Sequence, residues 1–103
     1  MRIALVQVAA TTDPSANLEI VRARAADAAS LGAELVVFPE ATMCSFARPR
    51  ADAAEPFDGP WANGVREIAA ELGVTIVVGM FTTTEGPRVR NTLLVTGGVE
   101  ARY

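Results

Sequence analysis

The sequence predicts an α/β fold built on a mostly parallel sheet that ends in an antiparallel hairpin. Three observations carry this. Short apolar runs rich in Val, Ile and Leu alternate with Ala-rich amphipathic stretches, the order expected of βαβ units. Gly and Pro fall mostly at the joints between these stretches. The last two apolar runs are separated only by Gly97-Gly98, too short a link for a helical crossover but a suitable hairpin turn. A length of 103 residues bounds the chain to one small domain.

The elements follow in order. Residues 3–8 are apolar apart from Gln7 and read as a first, buried strand. Asp13-Pro14 offers a helix start, with Asn17 as a competing N-cap. The helix runs to about Ser30 with Leu18, Val21, Ala25 and Ala28 on one stripe, and Gly32 stops it. Residues 35–38 form a second strand, which Pro39 cannot extend. Residues 41–59 form a connection long enough to suggest a functional loop. Gly59-Pro60 opens a second helix whose apolar face is Val65, Ile68, Ala69 and Leu72, ended by Gly73. A third strand at 74–80, a polar turn at 82–87, a fourth strand at 90–96 and a fifth from Val99 complete the pattern. The charged residues Glu19, Arg22, Arg24, Asp27, Arg66, Glu67 and Glu71 lie on the outer helix faces and read as solvated.

Composition removes several function classes. Half the residues are hydrophobic, which excludes a disordered chain. A net charge of −3 without a basic cluster argues against nucleic acid and acidic membranes as partners. Arg48 and Arg50, flanking Pro49, read as solvated surface. The chain has neither His nor Lys, so it lacks the usual general base, zinc ligand and Schiff-base amine. The single cysteine, Cys44, forbids an internal disulfide. The apolar opening is too short, and too soon interrupted by Gln7, for a signal peptide, and no segment is long enough to span a bilayer. A cytoplasmic location is expected.

Ligands of open α/β sheets bind beyond the C-terminal ends of the strands. Residues 9–12, 40–46 and 80–84 leave strands there. Glu40 is the only carboxylate placed immediately after a strand run. It reads either as a general base or as a surface residue or cap in a loop. Cys44 has no His or Lys to lower its thiol pKa and reads as a small apolar residue lining the pocket floor or the core, and Met43 and Phe46 are also expected to line one or the other. Asp52, Glu55 and Asp58 read as a solvated face before a weak divalent-ion site, and Trp61 as an anchor for the long loop. Asn91 reads as a partner for turn backbone before a substrate contact. No glycine-rich loop links a strand to a helix, so a nucleotide site is disfavoured.

Around Glu40 the chain resembles the N-terminal portion of the nitrilase superfamily, the carbon-nitrogen hydrolases. Four stretches carry the resemblance: Arg2-Ile3-Ala4-Leu5-Val6-Gln7, Asn17-Leu18-Glu19, the block from Gly32 to Glu40, and Arg90-Asn91-Thr92-Leu93-Leu94-Val95. They span essentially the whole chain in the right order. The resemblance implies the N-terminal part of a four-layer α-β-β-α sandwich, assembled as a homo-oligomer, commonly a dimer. It also implies hydrolysis of an amide, carbamoyl amide or nitrile by a Glu-Lys-Cys triad, with no metal or organic cofactor.

Glu40 would be the base of that triad. Tyr103 resembles the aromatic residue shortly before the lysine, which would then lie beyond it, and Cys44 does not match the nucleophile. Residues 1–103 are accordingly expected to be a partial domain, cut within a strand, inactive alone and with the inner face of its sheet exposed. The competing expectation is a small non-catalytic α/β domain that associates with itself or with a larger homologue.

Overall fold

The computed structural model describes residues 1–103. The strands are β1 (Ile3–Leu5), β2 (Leu35–Val37), β3 (Thr75–Thr83), β4 (Val89–Thr96) and β5 (Ala101–Arg102). The helices are α1 (Pro14–Ser30), α2 (Arg50–Ala53) and α3 (Pro60–Leu72). One sheet runs β1-β2-β3-β4-β5, with β1, β2 and β3 parallel and β3, β4 and β5 antiparallel. The predicted class, a parallel part followed by an antiparallel hairpin, therefore holds. The short α2 is an addition inside the long loop. No helix is long and apolar enough to cross a membrane.

Each long helix is explained by its ends and its stripe. The Asp13 side chain accepts from the Ser15 N–H at the start of α1, so Asp13 and not Asn17 is the N-cap. Gly73, at φ 66°, supplies the left-handed C-cap of α3. Val21, Ala25 and Ala28 from α1 and Trp61, Val65, Ile68 and Ala69 from α3 are buried in a single core with Val36, Ile76, Val78, Met80 and Leu94 of the sheet. Right-handed crossovers between sequentially ordered strands place both helices on the same side. They pack so closely that a Cβ on Gly64 would lie 2.6 Å from Leu18 Cδ2. Arg22 joins their outer edges through Glu71 at 3.0 Å.

Strand alternation then leaves a second face without helices. Ile3 and Leu5 are 53% and 80% exposed on it. Leu35, Val37, Val77, Leu93 and Val95 share it and are half-buried. The expectation of a buried first strand fails here. β1 is an edge strand that ends at Leu5, short of the predicted residue 8, and only the alternate residues Ala4, Val6 and Val8 of this segment reach the core.

Other boundaries shift for reasons of pairing. β3 extends to Thr83 because β4 pairs with it along its whole length, leaving a shorter turn than predicted. The link from β4 to β5 takes four residues, 97–100, and not two. Tyr103 continues the ladder by exchanging backbone hydrogen bonds with Leu93 at 2.7 and 3.0 Å.

Candidate functional site

β3 is much longer than β2, so its upper edge needs another backbone partner. The loop after β2 provides it. Phe38 N–H donates to Val77 O at 2.8 Å, Met43 N–H to Gly79 O at 3.1 Å and Glu55 N–H to Phe81 O at 3.1 Å. The Thr42 hydroxyl closes the turn by donating to Pro39 O at 2.7 Å. Glu40 is held at the centre of this turn. A Cβ on Gly79 would fall within the Glu40 carbonyl group, so only glycine lets the turn lie against β3. Gly79 thus sits well inside β3, which runs on past the predicted strand end at residue 80.

The Glu40 carboxylate is exposed on the helix-free side of the sheet. Asn91, near the start of β4, donates from Nδ2 to Glu40 Oε1. This corrects the assignment of Asn91 to turn backbone. Its partner lies 51 positions away, where local turn rules cannot reach. An apolar cleft of about 230 Å³ opens beside the turn, lined by Val8, Ala10, Pro39, Ala41, Thr42, Ser45 and Phe46. Phe46 is 61% exposed at its rim and packs its ring 5.8 Å from that of Phe81, so of the two places expected for it, the pocket and the core, it takes the pocket.

Two of the three predicted ligand-end segments are stitched together by a residue whose role the sequence reading missed. Asn17 is buried and uses its whole amide: Oδ1 accepts from Thr11 N–H at 2.8 Å and from the Thr11 hydroxyl at 2.9 Å. Its Nδ2 donates to Thr11 O at 2.8 Å and to Met43 O at 2.9 Å. Ser45 N–H adds a bond to Thr11 O at 2.9 Å. Arg48 belongs to the same junction, donating to Thr12 O at 3.0 Å and Asp52 O at 3.3 Å, and is not merely solvated. The third segment joins through Phe81 N–H, which points at Met43 Sδ 3.4 Å away.

The remaining candidates have structural roles. Cys44 is fully buried, its thiol directed at Thr12 O and Ser45 O. Glu55 accepts from Trp61 N–H at 2.8 Å at the start of α3. Trp61 donates its indole N–H to Pro14 O at 2.9 Å, anchoring α3 to α1. Asp52, Glu55 and Asp58 do not gather into a metal-ligating group. Away from the turn, burial pulls the Glu100 carboxyl upward. Hydrogen bonds from Thr96 and Arg66, with the Arg66 charge, outweigh that and hold it below the usual carboxylate value.

Residues 2–98 match the carbon-nitrogen hydrolase family model. The chain belongs to this family. Two curated Mycobacterium tuberculosis proteins, Hydrolase MT0498 and Hydrolase Rv0480c, are each 59% identical to it over 97 residues. That alignment takes in 94% of this chain and 35% of each relative, so the chain spans about a third of their length. Among solved structures it resembles XC1258 from Xanthomonas campestris, a CN-hydrolase superfamily protein with an arsenic adduct in its active site. The TM-score is 0.87 at 33% identity, covering all of this chain and 39% of that one. An amidase from Nesterenkonia sp. gives a TM-score of 0.76 at 28% identity, covering 100% and 41% of the two chains. The one-sided sheet described above corresponds to the N-terminal portion of the carbon-nitrogen hydrolase αββα sandwich.

Proposed function

We propose that Glu40 is the general base of a carbon-nitrogen hydrolase acting on a small amide, carbamoyl amide or nitrile. The carrying observation is its placement. It is the one carboxylate at the C-terminal end of the parallel strands whose backbone is wedged against β3 and whose side chain is tied to β4. For an amide, Glu40 takes the proton of a cysteine thiol, and the thiolate sulfur bonds to the carbonyl carbon. Breaking of the C–N bond expels the amine, which carries that proton away and leaves a thioester. Water then cleaves the thioester, releasing the acid and restoring the thiol. By family resemblance the nucleophile and an oxyanion-stabilising lysine lie outside residues 1–103, since this stretch has no Lys and its one Cys is buried.

The nearby cleft, lined mainly by small and apolar residues, favours a compact substrate. Ammonia release from short aliphatic amides and nitriles by the complete gene product tests the reading. Activity is expected there, with loss of about 10²- to 10⁴-fold in kcat on Glu40→Gln. Full activity in that variant would remove Glu40 from the role.

A second reading rests on the helix-free face. With Ile3 and Leu5 exposed on it, the chain has an apolar surface suited to association with itself or a homologue. A complete gene product that forms stable oligomers and releases no ammonia from any of these substrates would favour that reading.

A further inference from the structure

We propose that Asn91 is a positioning residue for Glu40, fixing one carboxylate oxygen so that the other faces the reacting thiol. The inference rests on the reading of Glu40 as the base. Three observations support it. The bond from Asn91 Nδ2 is the only hydrogen bond the Glu40 side chain makes, and Glu40 has no salt bridge. Asn91 lies opposite Phe81 in the β3–β4 register, two pairs along from Gly79–Leu93 and so on the same face, and Gly79 carries the Glu40 turn. The base is therefore held at its backbone by β3 and at its tip by β4, two strands that pair over eight residues of β4.

The choice of donor also suits a base. An ionised carboxylate only accepts hydrogen bonds, and a neutral amide orients it without neutralising it. A guanidinium in the same place would form an ion pair that competes with proton uptake. Arg90 is adjacent in sequence, but it pairs with Thr82 and so belongs to the opposite face of the sheet. β-Strand alternation thus presents the neutral donor to Glu40 and turns the cation away.

The test uses the complete gene product and a short aliphatic amide. Asn91→Leu, close in volume but without a donor, is expected to lower kcat about 10- to 100-fold while KM stays within about twofold. Asn91→Gln keeps the amide donor on a longer arm and is expected to recover much of that loss. Unchanged kcat in Asn91→Leu would overturn the proposal. So would equal losses in Asn91→Leu and Asn91→Gln, with KM raised in step, because the effect would then be a general disturbance of the site. Full activity in Glu40→Gln would instead defeat the base assignment. An inactive Glu40→Gln beside a fully active Asn91→Leu would defeat the positioning role alone.

Discussion

The two faces of the sheet are made by the same strands and differ in almost everything else. On one, Val36, Ile76, Val78 and Leu94 are completely buried beneath α1 and α3. On the other, Ile3 and Leu5 stand exposed at one edge, while Gly79, the Glu40 turn and Asn91 gather at one end. The covered face holds its residues by volume and hydrophobicity, which many sequences satisfy. The open face holds Glu40 by one glycine and one amide, each without an obvious substitute. Under the proposed role of Glu40, stability and chemistry fall to opposite faces of the same sheet.

That division is broken most forcefully by emptying the covered face. Ile76→Ala is expected to cost about 2–5 kcal/mol in urea unfolding, whereas Leu5→Ala in the 103-residue chain should stay within about 0.5 kcal/mol. Repeating the pair in the complete gene product sharpens the contrast. A Leu5→Ala cost approaching that of Ile76→Ala there would mean that further protein covers the open face.

Next in size is Asn17→Ala, which strands a buried carbonyl at Met43 and the Thr11 N–H. It is expected to cost about 2–3 kcal/mol. Because it loosens the loop that carries Glu40, it should also reduce turnover in the complete gene product more than Ile76→Ala does at equal destabilisation. Equal turnover in the two variants would separate Asn17 from the site.

The smallest effect lies at Glu100. Its folded pKa is lowered, so its ion pair with Arg66 contributes stability above the unfolded carboxylate pKa. That contribution is lost as pH falls through the lowered folded value. Glu100→Gln should therefore cost stability at pH 7, within the roughly 0–1 kcal/mol of an exposed pair, and the gap should close in acid. A gap that persists at low pH would assign the contribution to packing.

The fold was legible because its signals are local. Asp13-Pro14, Gly32, Gly59-Pro60 and Gly73 mark helix ends, and the Val-rich runs between them mark strands. The edge position of β1 was not legible, since an apolar run looks the same whether one face is covered or both. The site was legible only at Glu40, which follows a strand and a proline. Asn17, Gly79 and Asn91 act through partners 26, 39 and 51 positions away, so no local window relates them. Gly79 carried the one usable signal, a glycine inside an apolar strand run, which marks close approach of another backbone.

The separation of chemistry from packing is tested most directly by measuring turnover and melting temperature together in Glu40→Gln of the complete gene product. We expect amide hydrolysis to fall by at least about 100-fold, with the melting temperature unchanged within about 2 °C. Retained hydrolysis, or a melting temperature that collapses with the activity, would contradict the assignment of Glu40 to chemistry alone.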